Sequence, residues 1–147
     1  MAMKSQGIGT RRPAPAGVRS VMVWQVLSAL LLLVMAGIHL YLVTDGVGGT
    51  LGKLFVLNVI GGVVLAVAMV VLKGRMLLLA SVAGLLFMAG TLLALILALT
   101  VGFFTITEVW SFTLVPETVV VESIGTVVLA VTTYLLYQPL RGSLGRL

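Results

Sequence analysis

Four apolar runs, Val21 to Val43, Leu51 to Leu72, Met76 to Thr100 and Glu117 to Tyr137, constrain this chain more than any motif in it. Each has about 20 to 25 residues, the length a helix rising about 1.5 Å per residue needs to cross about 30 Å of hydrocarbon. Lipid offers no partner to backbone N–H and C=O groups, so a segment that enters it is a helix or part of a closed barrel. Barrel strands alternate apolar and polar residues, and runs such as "LLLVMAG" (Leu31 to Gly37) do not. The expected fold is therefore all-α: a polytopic membrane protein with an antiparallel four-transmembrane-helix bundle.

The links agree with this reading. "TDGVGGT" (Thr44 to Thr50) is a glycine-rich turn, "KGR" (Lys73 to Arg75) is a short cationic one, and Val101 to Pro116 is longer. Pro116 suits the first turn of the fourth helix, where its missing N–H costs little. Short links favour neighbouring helices that run up and down in turn. Of the 147 residues, 61% are hydrophobic and 9% charged, too few polar groups for a small soluble body to present to water. The lipid bilayer is thus the first expected partner.

Charge sets the direction of threading. Lys4, Arg11, Arg12, Arg19, Lys73, Arg75, Arg141 and Arg146 fall on one side of this topology, and only Lys53 falls on the other. The acids Asp45, Glu108, Glu117 and Glu122 lie towards that second side. The positive-inside rule then places both termini in the cytoplasm and the protein in the cell membrane. Residues 1–20 read as a flexible basic cytoplasmic tail, 21–137 as the membrane domain and 138–147 as a second short basic tail. Arg11 and Arg12 precede an apolar run, as in an export signal, but the run is too long for one and no small-residue cleavage site follows. The net charge of +5 does not point to nucleic acid, because the basic residues sit in tails and one turn without interleaved aromatics.

Several chemistries are excluded or left without residues. There are no cysteines, so disulfides, thiolate metal sites and thiol-disulfide exchange are absent. His39 is the only histidine and cannot supply two axial haem ligands. Asp45 with Gly46, Gly48 and Gly49 lacks both the repeated acids of a calcium loop and the Lys-Ser/Thr ending of a phosphate loop, and reads as a turn. No catalytic set and no dedicated metal-ligand spacing is present, so neither enzyme activity nor a metal or cofactor is expected.

What remains is a small polar cluster inside the spans: His39, Lys53, Asn58 and Glu122. Under the threading above, all of them fall in the outer half of the bilayer. Thr118, Glu122, Thr126 and Thr133, with Gly125 beside them, share one sector of a helix advancing about 100° per residue. Ser28, Met35 and His39 share a face of the first helix. A charge facing lipid costs several kcal/mol, so Glu122 is expected to point into the bundle, with His39 and Lys53 as its candidate partners. Hydrocarbon favours the neutral acid and a neighbouring cation favours the ionised one; a balance between them would suit a proton relay or a coupled transporter. A structural reading stands beside this one: polar groups near the boundary reach towards headgroups, or fix helix register.

Gly90, Ala94, Ala98 and Gly102 recur every four residues along the third span. Such a stripe lets another backbone come close, within the chain or in a second subunit. Gly61, Gly62 and Ala66 on the second span, and Ala80 with Gly84, read the same way.

The segments "AGIHLYL", "TLGKLFVLNVIGG" and "VVVESIG" are similar to those of small four-span bacterial integral membrane proteins of no agreed activity. Shortness, four spans and one membrane carboxylate also resemble the small multidrug resistance exporters. That family carries its acid in the first helix, whereas here the first helix has His39 and the acid is in the fourth, so its mechanism is not carried over. The first expectation for function is an accessory or interaction subunit of a membrane complex, with a membrane-protein partner or as a homo-oligomer. The alternative is a small proton-coupled transporter using Glu122 and His39.

Overall fold

Helix is the only regular structure in the described residues, which in this computed structural model are 16–102, 107 and 109–144. The elements are α1 (Ala16–Thr44), α2 (Gly49–Val71), α3 (Gly74–Thr100) and α4 (Val115–Leu144). Each contains a stretch long and apolar enough to cross a membrane: Ser20–Thr44, Gly49–Val71, Gly74–Thr100 and Val115–Gln138. These bounds lie within about two residues of those expected from length and hydropathy. The helices themselves run further, α1 beginning at Ala16 and α4 ending at Leu144, inside stretches expected as tails. Water permits a helix to continue past the hydrocarbon edge, so the apolar run and the helix need not share an end. Lys4, Arg11, Arg12, Glu108 and Arg146 lie outside the described residues.

The turns follow from their glycines. At the end of α1, Gly46 takes φ +104°, Gly46 N–H donates to Val43 O and Val47 N–H to Leu42 O. This is a Schellman closure, which satisfies the last carbonyls of the helix and leaves Asp45 at the C-cap. Gly102 takes φ +83° and its N–H donates to Leu97 O. It therefore ends α3 rather than extending the stripe of Gly90, Ala94 and Ala98 in which it was counted, because that stripe stops with the helix at Thr100.

Each helix buries one narrow face whose members are spaced alternately four and three residues apart. On α1 the buried residues are Ser28, Leu32, Met35, His39 and Leu42; on α4 they are Thr118, Glu122, Gly125, Leu129 and Thr132. Leu77, Ser81, Gly84 and Met88 continue the pattern on α3, and Gly62, Ala66 and Met69 on α2. A mean spacing of about 3.5 residues is that of helices packed knobs-into-holes along their length. The opposite faces are apolar and exposed, with Leu86 at 68% and Val71 at 65% of full accessibility. An unbroken apolar exterior of this kind suits lipid rather than water.

α1 packs closely on α2 and on α4, α3 packs on α4, and of these neighbouring pairs α2 and α3 touch least. The α1–α2 contact is tight because a Cβ at Gly62 would stand 3.0 Å from both Leu32 O and Ala36 Cβ. At one end of the molecule a hydrogen-bonded clasp joins all four helices. The Gln25 side chain donates to Met69 O, Ser28 Oγ and Thr132 Oγ1 lie 2.8 Å apart, and Ser81 Oγ and Thr133 Oγ1 2.7 Å. Thr132 Oγ1 also lies 3.2 Å from Trp24 O. Thr132→Val keeps the shape and removes the hydroxyl; it is expected to lower stability by about 1 kcal/mol, the usual worth of such a bond between membrane helices. Reversible unfolding in mixed micelles measures it, and an unchanged midpoint would mean the clasp carries no load.

Candidate functional site

Core bulk is unevenly distributed along the buried faces. Leu32, Met35, Met69, Met88 and Leu129 are fully buried and fill the middle and the clasped end. Beyond Met88 the α3 face continues in Gly90, Thr91, Ala94 and Ala98, and the α4 face ends in Glu122 and Thr118. Small and short side chains cannot span the same separation, so the helices enclose a cavity of about 400 Å³ there. A Cβ at Gly90 would meet no atom within 4 Å. The stripe of Gly90, Ala94 and Ala98 thus lines open space, where the sequence pattern had suggested close helix contact.

Three of the four residues expected to form the polar cluster line this cavity: His39 from α1, Asn58 from α2 and Glu122 from α4. Lys53 does not line it; its side chain is exposed on the first turns of α2. α2 carries Phe55 and Asn58 on its inward side, and Lys53 falls in another sector, where it reaches water at the helix end.

Glu122 is 1% exposed, in the middle of the buried face of α4. Its Oε2 has no hydrogen-bond partner among the described residues, and the hydroxyl of Thr91 on α3, which shares the cavity wall, donates to Met88 O at 2.9 Å. Buried polar atoms are satisfied in the great majority of cases, so an orphaned carboxyl oxygen on a cavity wall marks a place where a ligand or water completes the bonding. Neither of its expected partners, His39 or Lys53, bonds Oε2. His39 is anchored separately. Its Nδ1 lies 2.9 Å from Met35 O, one turn back on its own helix, and its ring meets that of Phe55 edge-on at 4.9 Å and 77°. A carbonyl oxygen only accepts, so Nδ1 carries the hydrogen, and Nε2 of the neutral ring is an acceptor.

Thr91 and the aromatic wall were missed from sequence. Thr91 did leave a signal, as the lone hydroxyl in the middle of α3, in step with Gly84 and Met88 at three- and four-residue intervals. Apart from Thr113 and Thr118, the remaining walls are apolar, with Leu42, Leu51, Phe55, Phe87, Leu95 and Phe112 among them. A mostly apolar hollow with a few convergent polar groups is the usual form of a small-molecule site, and about 300 to 1,000 Å³ is its usual size.

No protein-family model, curated protein or solved structure matches this chain. Function has to be argued from the cavity itself.

Proposed function

We propose that the chain is a small transporter of the cell membrane that couples movement of a solute to movement of a proton, with Glu122 as the coupling group. The observation that carries this reading is the buried, unpartnered oxygen of Glu122 on the wall of a cavity of about 400 Å³. An ionisable group inside a membrane span is costly, and such groups mark solute, ion and proton paths. His39 and Asn58 supply further polar positions on the same wall.

The helices form an antiparallel bundle in this reading. Contacts between Gln25 near the start of α1 and Met69 near the end of α2, and between Ser81 early in α3 and Thr133 late in α4, support it. Both termini are cytoplasmic, on the strength of the basic residues gathered at that side. The cavity then lies in the outer half of the bilayer and the clasp in the inner half. Because the chain has no cysteine, single introduced cysteines report its threading cleanly. Thr50→Cys should react with an impermeant maleimide on intact cells, and Ser143→Cys only after lysis; labelling of both from outside would overturn the orientation.

An accessory subunit is the competing reading; that Gly90, Ala94 and Ala98 line the cavity supports the transporter reading beside it. Proteoliposomes separate the two. A transporter moves protons when a solute gradient is imposed, using nothing but this chain. Failure of every amphipathic cation, acid and alcohol to do so, together with a stable hetero-complex in mild detergent, would favour the accessory role.

A further inference from the structure

We propose that the cavity takes an organic cation bearing N–H donors on an apolar body, its head between Glu122 and His39 and its body in the cleft between α2 and α3. The inference rests on reading the cavity as a binding site and does not require transport.

The hydrogen-bonding character of the walls selects the head group. Glu122 Oε2 is an acceptor without a partner, on a residue buried to 1% exposure. His39 is held with Nδ1 towards Met35 O, which leaves Nε2 of the neutral ring as a second acceptor. No lysine or arginine among the described residues lines the cavity, and Lys53 is exposed elsewhere. A carboxylate or phosphate head would therefore find an acid and no cation. A guanidinium or primary ammonium offers donors to both acceptors and charge to Glu122, and bonds of this kind are roughly twice as strong as neutral ones.

The shape selects the body. Leu54 and Phe55 of α2 and Leu86 and Phe87 of α3 all line the cavity, between the neighbouring helices that pack least. Leu54, Leu86 and Gly90 are at once cavity-lining and exposed on the outside of the molecule, so the hollow communicates sideways with the surface that lipid would cover. A molecule already dissolved in the membrane, tail first, reaches the acid by that route without crossing the clasp.

The test is calorimetric titration of the purified full chain in phosphatidylcholine nanodiscs, with empty discs subtracted to remove partitioning. The probes are octylguanidinium, octyltrimethylammonium, octanoate and octanol. Octylguanidinium should bind saturably at one site, and about tenfold or more less tightly to Glu122→Gln, as loss of a buried charge-assisted bond requires. Octyltrimethylammonium, with charge and no donor, should bind more weakly, and octanoate not at all. Gly90→Leu should be accepted by the fold, because nothing lies within 4 Å of its Cβ. Its side chain fills the cleft, so octylguanidinium affinity should fall about tenfold or more while the melting temperature holds. Octanoate or octanol binding as tightly as octylguanidinium, or Glu122→Gln leaving its affinity unchanged, overturns the head assignment. Wild-type affinity in Gly90→Leu overturns the placement of the body. A chain that binds octylguanidinium and moves no protons keeps this site and loses the transport reading; one that moves protons with octanoate alone keeps transport and loses this site.

Discussion

Glu122→Gln should reduce solute-driven proton movement in proteoliposomes to the rate of protein-free vesicles, while leaving the protein at least as stable as the wild type. The two halves of the expectation have one cause. The carboxyl group is buried with one oxygen unbonded, so the native chain tolerates an unsatisfied polar atom at its cavity wall. Such an atom costs about 1 to 3 kcal/mol, and glutamine has nearly the same volume and cannot ionise. Loss of the only titratable carboxyl that lines the cavity among the described residues removes the proton carrier. Interior pH, followed with a trapped dye, measures the first half, and the melting temperature in detergent the second. Retained proton movement in Glu122→Gln would sink the transport reading; a collapsed fold would mean that the acid has a partner the geometry does not reveal.

A large loss of stability is expected at Gly62, where α1 and α2 meet. A Cβ there would press at 3.0 Å on both Leu32 O and Ala36 Cβ, backbone and a short side chain that have no room to yield. Gly62→Leu must push α1 and α2 apart, and overpacking of this kind costs about 1 to 3 kcal/mol or more. Gly90 supplies the contrast, since a Cβ there meets nothing within 4 Å. Gly90→Ala should be neutral or stabilising by up to about 1 kcal/mol, the ordinary gain of alanine over glycine in a helix. Unfolding midpoints of the two variants, compared with the wild type in the same micelles, decide it. Equal midpoints would mean that α1 and α2 do not approach as closely as the Leu32–Gly62 contact requires.

These two glycines also mark how far the sequence could be read. Hydrophobic length located the four helices long and apolar enough to cross a membrane to within a few residues, because that signal depends only on the thickness of hydrocarbon and not on neighbours. It also pointed Glu122 and His39 inward, since an isolated polar residue on a greasy helix has few other places to go. The partners were not legible. Small residues at four-residue intervals look alike whether they seat a neighbouring helix, as Gly62 does, or leave a hollow, as Gly90 does. The difference is set by what faces them across the bundle, and one helix alone does not carry that information. Lys53 was grouped with Glu122 through depth in the membrane, yet its angular position on α2 turns it outward. Thr132, central to the clasp, was passed over for Thr133 beside it, although spacing from Gly125 and Leu129 places Thr132 on the more buried face.

Joining the helices at one end and leaving a cavity between α2 and α3 at the other has a mechanical consequence. α2 has 23 residues, so it is a lever about 35 Å long. Turned by about 5° about the Gln25–Met69 bond, its far tip would travel about 3 Å, enough to widen or shut the gap facing α3. Small angular play at a fixed fulcrum thus becomes a useful stroke at the mouth, with the bonds around Ser28 and Thr132 left intact.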